Sequence, residues 1–203
     1  MLEKIGQINR GTFLGDKIYE LTKQNDVKEI IDEGSWNSLG TTKCIIDAIL
    51  DSGKRVYDVY SIECNESRWN EGKINLMPVP SHFHQIHGSL VTVDELKTYR
   101  EIITEQPYRS YLEEDIIHVS RCPYVFDMMP EKIDLLIIDG GEFSGETVFR
   151  KLYKRSKYII LDDTLAFKNK SNRQFILDNK DDFEIIYDDI ILKGQMVVKN
   201  LKF

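Results

Sequence analysis

Cysteine is scarce in this chain of 203 residues, which contains only Cys44, Cys64 and Cys122. Three scattered cysteines are too few for a disulfide framework, and they lack the paired spacing of a tetrahedral zinc site. We therefore expect reduced thiols, as in a cytoplasmic protein.

Long apolar runs and an excess of positive charge are also missing. No segment approaches the ~20 apolar residues that span a bilayer, and the first residues have no apolar core of signal-peptide length. The formal net charge is −7, which argues against a broad surface for nucleic acid or for an anionic membrane. We expect a cytoplasmic protein whose partner is a small molecule, with neither nucleic acid nor a membrane as partner; the oligomeric state stays open.

The glycine pattern of a dinucleotide site, G-x-G-x-x-G, is absent as well. Gly34 and Gly40 stand six positions apart in the turn that follows the first predicted strand. A pyrophosphate requires close backbone approach, so this turn is better suited to a ligand without phosphates. A nicotinamide-dependent oxidoreductase is therefore the weaker enzyme interpretation.

What the sequence does contain is a regular alternation of short strands and helices. The length and a composition of 41% apolar and 30% charged residues predict one globular domain over residues 1–203. The order predicts a doubly wound, Rossmann-like α/β fold with a seven-stranded, mostly parallel sheet and helices on both faces. A helix is predicted at 13–24, and strands are predicted at 27–31, 55–62, 83–87, 183–187 and 195–199 and in two further apolar runs.

One segment exceeds what such an alternation needs. About 43 residues, 90–132, separate the third strand from the fourth, which is more than one crossover helix requires. We interpret this segment as an insertion. It forms either a substrate lid or pocket wall, or two surface helices joined by a loop.

The two apolar runs end abruptly in carboxylates. Residues 134–138 precede Asp139, and residues 158–161 precede Asp162 and Asp163. Continuous apolar runs are typical of buried parallel strands, whose carboxyl ends form the ligand-binding edge of an open sheet. We therefore expect the three acids in an active site. The alternative is structural: Asp162 and Asp163 cap a helix, and Asp139 begins a turn.

Several of these motifs resemble those of a known family. The segment 32–43, DEGSWNSLGTTK, resembles the first motif of class I S-adenosylmethionine-dependent methyltransferases, in particular the metal-dependent sugar, macrocin and catechol O-methyltransferase branch. Segments 137–142 and 161–164 resemble later motifs of that branch, and 194–198 is similar to its closing strand. The resemblance implies methyl transfer to a hydroxyl group of a sugar, a glycan precursor or another small molecule.

The resemblance also implies a cofactor site for S-adenosylmethionine. Asp32 and Gly34 would flank the methionine part, and Ser89 would lie near the adenine. Glu63, at the end of the second strand, would accept the ribose hydroxyls. The residues assigned to the cofactor are Asp32, Gly34, Ser35, Trp36, Glu63, Ser89 and Asp139.

Magnesium is the second group that the resemblance implies. Asp139, Asp162 and Asp163 would bind Mg²⁺, which prefers oxygen ligands and lowers the pKa of a coordinated hydroxyl. Asp139 is thereby also a catalytic candidate. Glu142 stands where many relatives have a lysine or histidine base, so it is a second catalytic candidate, or else a fourth ligand or a residue without a role. Ser38 replaces a family glycine.

Two other interpretations stay open. Ser38 and Glu142 depart from the family pattern and suggest a non-catalytic ligand-binding module on a degenerate methyltransferase scaffold. The histidines of His82-x-His84-x-x-His87 invite a zinc interpretation. In a strand, however, His82 and His84 share a face and His87 points the other way, which favours ordinary strand and loop histidines.

Overall fold

The computed structural model describes residues 7–191 and 193–203; residues 1–6, on which the signal-peptide prediction partly rests, lie outside the described residues. The described residues form seven strands and seven α-helices; two helices follow one another between the third and fourth strands, and no helix separates the last two strands. The strands are β1 Glu29–Glu33, β2 Asp58–Glu63, β3 Phe83–His87, β4 Ile133–Ile138, β5 Ser156–Asp162, β6 Phe183–Asp189 and β7 Gln195–Asn200. The helices are α1 Phe13–Lys23, α2 Thr41–Ser52, α3 Glu66–Asn75, α4 Val93–Lys97, α5 Tyr108–Ser120, α6 Gly145–Leu152 and α7 Lys170–Asp178.

The strands form a seven-stranded sheet in the order β3-β2-β1-β4-β5-β7-β6. Strands β1 to β5 are parallel, and β7 runs antiparallel between β5 and β6. The predicted doubly wound, mostly parallel α/β sheet is therefore confirmed. None of the helices in the described ranges has the length and apolar character needed to cross a membrane.

Side-chain alternation along the buried strands creates a core on each face of the sheet. In β4, Leu135 and Ile137 belong to the cluster that includes the apolar residues of α1 and α2. Leu136 and Ile138 belong to the opposite cluster, together with apolar residues of α4 to α6. Because successive strand residues point to opposite faces, a continuous apolar run fills both cores.

The first strand begins and ends two residues later than predicted. The sequence pattern ended this strand at Ile31, whereas β1 continues through Asp32 and Glu33. Both acids are buried, and each accepts side-chain hydrogen bonds within the protein. Because the last two residues of this strand are polar, a criterion based on hydrophobicity alone places its end too early.

The insertion at 90–132 consists of α4, α5 and two short 3₁₀ turns. Leu96, Leu112 and Ile116 are buried in the core on one face of the sheet. The Asp115 carboxylate accepts a hydrogen bond from the backbone N–H of Phe143, 3.0 Å away. The insertion is therefore packed against the turn that follows β4.

The strand order of the sheet reverses between β1 and β4. The chain first builds β2 and β3 on one side of β1, and then crosses over to place β4 on the other side. In open α/β sheets, ligands bind at the carboxyl ends of strands at such a switch point. Here Gly34 and Gly140 follow the two strands, and a Cβ on Gly34 would overlap the backbone of Gly140.

We predict that Gly34→Ala costs at least about 3 kcal/mol of unfolding free energy, because it combines a positive φ with backbone overlap. Gly53→Ala is the matched control: Gly53 also has a positive φ, at the end of α2, but a Cβ there meets open space. We expect about 1 kcal/mol for this control. Urea unfolding followed by circular dichroism measures both. Equal costs would contradict the role of the Gly34–Gly140 approach.

Candidate active site

A cavity of about 550 Å³ lies at the carboxyl ends of β1, β2, β4 and β5. This volume is within the range of small-molecule and cofactor pockets. The insertion supplies one wall through Leu96, Glu114, Asp115, His118 and Val119. The other lining residues include Glu33, Gly34, Trp36, Glu63, Arg68, Ser89, Asp139, Gly140, Ser144, Asp162, Asp163 and Lys168.

The turn after β1 forms the floor of the cavity. Gly34 and Ser35 both donate backbone hydrogen bonds to the carbonyl of Ile62, at 3.0 and 3.1 Å. Trp36 has a φ of 47° and lines the cavity. A positive φ at a non-glycine residue is a strained conformation that concentrates at functional sites. Ser35 is buried and is not among the lining residues.

Asp32 lies beneath this turn and does not reach the cavity. Its side chain is fully buried, and its carboxylate accepts a hydrogen bond from Thr42 Oγ1 at 2.5 Å. Burial raises the pKa of Asp32 to about 6, while hydrogen bonds from Thr42 and Thr41 oppose this shift. The predicted direct contacts of Asp32 and Ser35 with a cofactor therefore have no counterpart in the cavity wall. Asp32 instead joins the end of β1 to the start of α2.

Glu63, at the end of β2, faces the cavity with both carboxylate oxygens partly engaged. Oε2 accepts the backbone N–H of Trp36 at 2.8 Å, and Oε1 accepts that of Asn65 at 2.7 Å. Each oxygen retains a second lone pair. Burial raises the pKa of Glu63, and the two backbone hydrogen bonds counteract it. The carboxylate is thus fixed in position and can accept further hydroxyl donors.

Glu33 is a site residue that the sequence motifs missed. Its carboxylate accepts hydrogen bonds from the backbone N–H of Gly140 at 3.0 Å and from Ser144 Oγ at 2.9 Å. Burial raises the pKa of Glu33 to about 7, against the opposing effects of Ser144, Lys168 and Gly140. Glu33 therefore ties β1 to the turn after β4 and presents a carboxyl group to the cavity.

The three predicted acids do converge on one wall of the cavity, and Lys168 lies among them. Its Nζ is 2.9 Å from Asp139 Oδ1 and 3.2 Å from Asp163 Oδ2. Asp162 Oδ1 accepts a hydrogen bond from Gln195 Nε2 at 3.0 Å. Burial and the charges of Asp139 and Asp163 raise the pKa of Asp162 to about 7, and Lys168 lowers it.

The helix-cap alternative for Asp162 and Asp163 does not describe the structure. Asp163 has a left-handed φ of 55°, and α7 begins seven residues later, at Lys170. Asp139 does not begin a turn either: residues 139–141 are irregular, and the turn after β4 covers residues 142–144. Gly140 and Gly141 line the cavity.

The donor set does not fit a magnesium ion as the side chains stand. Mg²⁺ requires several oxygen ligands at about 2.0–2.1 Å, yet Asp139 and Asp163 already bind the Lys168 ammonium. Within residues 7–191 and 193–203, no group of three or more histidine, cysteine, aspartate or glutamate side chains is arranged to hold a metal. The magnesium prediction therefore finds no support here.

Glu142, the second catalytic candidate, is not among the cavity-lining residues. The chain turns at residues 142–144; within this turn Phe143 is buried in the core and Ser144 lines the cavity. Lys168 and Glu33 contribute charged groups there instead. A lysine followed by asparagine at 168–169 gave no recognisable pattern in the sequence.

The three histidines lie apart from this cavity. His82 and His84 approach the same carboxylate oxygen of Asp58, at 3.6 and 3.1 Å. His87 stacks on Trp69 with ring centroids 5.2 Å apart. Strand alternation therefore separates His84 from His87, whereas His82 precedes β3 and has a φ of 64°.

No protein-family model matches the chain, and no curated protein sequence does. Solved structures do match. The O-methyltransferase from Bacillus cereus in complex with S-adenosylhomocysteine superposes with a TM-score of 0.57 at 13% identity, over 97% of this chain and 84% of that chain. TrmK from M. capricolum, in complex with S-adenosylhomocysteine, gives 0.55 at 12% identity over 95% and 70%. A methyltransferase from Geobacter sulfurreducens gives 0.56 at 15% identity over 96% and 80%.

At these identities the likeness concerns the fold. The chain has the fold of class I S-adenosylmethionine-dependent methyltransferases, as the sequence motifs implied. What it binds and which reaction it catalyses depend on the side chains of the cavity.

We predict that Glu33→Gln flattens the pH dependence of stability in the ligand-free protein. Between the ordinary glutamate pKa and about 7, folded Glu33 keeps a proton that the unfolded chain releases, so stability falls as pH rises through this window. Glutamine does not titrate. Between pH 5 and pH 8, we expect the free energy of unfolding of the wild-type protein to fall by about 1–3 kcal/mol more than that of Glu33→Gln.

Urea unfolding at the two pH values measures this difference. Glu105→Gln, at an exposed position ahead of α5, is the matched control. Its free energy of unfolding should depend on pH as that of the wild-type protein does. If the free energy of unfolding of Glu33→Gln changed with pH as much as that of the wild-type protein, Glu33 would be ionised in the folded state throughout this range.

Proposed function

We propose that this protein is an S-adenosylmethionine-dependent O-methyltransferase acting on a small molecule, with a sugar or glycan precursor as the acceptor class. The single observation that carries the proposal is the Glu63 carboxylate, held at the end of β2 and facing a cavity of about 550 Å³ at the switch point of a methyltransferase fold. The acceptor class rests on the sequence resemblance alone.

The charge and placement of the cavity residues support S-adenosylmethionine as the ligand. Glu63 has lone pairs left for the two ribose hydroxyls. Gly34, Trp36 and Ser89 line the cavity beside it. The wall is also rich in carboxylates, which suits a ligand that carries a sulfonium and an ammonium group. These residues would hold S-adenosylmethionine.

Bound S-adenosylmethionine would supply an electrophilic methyl group, and its transfer to the acceptor oxygen would release S-adenosylhomocysteine and a proton. The protein must position the acceptor hydroxyl and accept its proton. We assign the proton to Asp163, because it lines the cavity and its Oδ1 makes no hydrogen bond within the described part of the chain. Lys168 stays protonated and serves as a hydrogen-bond donor instead.

The first test is isothermal titration with S-adenosylhomocysteine. We expect micromolar binding by the wild-type protein. Glu63→Gln should weaken it about 10- to 100-fold, since a hydrogen bond to a charged group contributes about 1.5–3 kcal/mol. Glu66→Gln, exposed in the first turn of α3, is the matched control and should bind like the wild-type protein.

The 2′-deoxy analogue of S-adenosylhomocysteine separates a ribose contact from a disturbed fold. If Glu63 accepts the 2′-hydroxyl, its removal weakens binding to the wild-type protein and has little further effect on Glu63→Gln. Equal losses in both proteins would place the ribose elsewhere. No binding by the wild-type protein would overturn the proposal, and an NADH titration would then test the oxidoreductase alternative.

Methyl transfer itself needs a second assay. The purified protein, with radiolabelled S-adenosylmethionine, is offered a panel of sugars, nucleotide sugars and phenolic hydroxyl compounds. We expect label in a sugar-containing product, and at least a 100-fold lower rate with Asp163→Asn. Tight cofactor binding without transfer to any acceptor would support the non-catalytic binding module.

A further inference from the structure

We propose that Lys168 is the permanent cation of the carboxylate cluster formed by Asp139, Asp162 and Asp163, and that its ammonium group takes the position that a divalent metal ion would otherwise occupy. Only 9% of the Lys168 side chain is exposed. Its Nζ contacts two of the three acids directly, at 2.9 Å from Asp139 and 3.2 Å from Asp163. A lysine in this position is a structural part of the cavity wall.

The loop that carries Lys168 is anchored across the strand ends. Asn169 is fully buried, and its Nδ2 donates to the carbonyls of Ile138 at 3.2 Å and Asp162 at 2.7 Å. Asn172 Nδ2 donates to Asn169 Oδ1 at 2.8 Å, which orients that amide. The backbone next to Lys168 is therefore fixed to both β4 and β5, and the lysine side chain is directed back over the acids.

Electrostatics explains why an ammonium is stable in this enclosed position. The Lys168 ammonium is paired with two carboxylates, those of Asp139 at 2.9 Å and Asp163 at 3.2 Å. The ammonium in turn offsets repulsion among the three carboxylates. A buried charge persists only when it is paired in this way.

The same pairing opposes metal binding. A divalent ion at Asp139 and Asp163 would have to displace the ammonium from both carboxylates, or bind beside it against like-charge repulsion. Lys193, whose Nζ is 3.7 Å from the same Asp163 oxygen, adds a second positive charge on the solvent side. We infer that the wild-type protein has no need of a metal at this site.

Mn²⁺ is the probe for the test, because free and bound Mn²⁺ are distinguished by electron paramagnetic resonance without any activity measurement. We expect no stoichiometric binding by the wild-type protein up to 1 mM Mn²⁺, with or without S-adenosylhomocysteine. Lys168→Ala should gain one Mn²⁺ site and bind Mn²⁺ at least ~10-fold more tightly than the wild-type protein does. The double variant Lys168→Ala/Asp163→Asn should lose this site again.

Two outcomes would overturn the inference. One is a Mn²⁺ site in the wild-type protein that Asp163→Asn removes, and the other is a folded Lys168→Ala that gains no site. Lys168→Met, which keeps much of the aliphatic side chain, replaces Lys168→Ala if the latter unfolds. Lys193→Ala is the matched control: it removes the exposed lysine near the same carboxylate and should leave Mn²⁺ binding as in the wild-type protein.

One consequence rests on the proposed function: methyl transfer by the wild-type protein should be unchanged in excess EDTA. The Mn²⁺ titration does not depend on that function. Failure to bind S-adenosylhomocysteine would overturn the proposed function and leave the assignment of Lys168 standing, whereas a wild-type Mn²⁺ site would do the reverse.

Discussion

The close approach of β1 and β4 at their carboxyl ends is the constraint on which the rest of this site depends. The backbone of Gly140 lies where a side chain on Gly34 would be, and Glu33 joins the two strand ends through the Gly140 N–H and Ser144. This junction is also the switch point of the sheet. The turn after β1 and the acids after β4 therefore face a common cavity only because the two backbones can come this close.

A second constraint is the cost of placing so many carboxyl groups in one partly enclosed space. Burial raises the pKa of Glu33 and of Asp162 to about 7, which shows how poorly the cavity tolerates additional negative charge. One buried lysine reduces that cost. A cationic ligand would reduce it further, so the electrostatic character of the site favours a ligand such as S-adenosylmethionine over a phosphate-bearing dinucleotide. The missing phosphate-binding glycines and the acidic wall thus favour the same class of ligand.

Most of the fold could be predicted from the sequence because it depends on local patterns. Apolar runs too continuous for exposed strands identified β4 and β5, and the apolar spacing of Leu14, Ile18 and Leu21 identified α1. Helix α2 ends at Gly53, which adopts the left-handed conformation that is typical after a helix. Helix α3 gave a weaker signal: it buries little besides Gly72, so it has almost no apolar stripe to recognise.

The sequence predicted only those site residues that stand at the end of an apolar strand. Glu63, Asp139, Asp162 and Asp163 follow apolar runs, so the topology alone brings them to the cavity. Lys168 does not follow such a run: it comes from a loop whose direction is set by amide hydrogen bonds to β4, which is distant in sequence, and to the end of the preceding strand, β5. An Asp-Asp strand end therefore specifies a concentration of negative charge without specifying the cation that balances it. That choice is made by tertiary structure, and in this chain a lysine side chain is the cation in place.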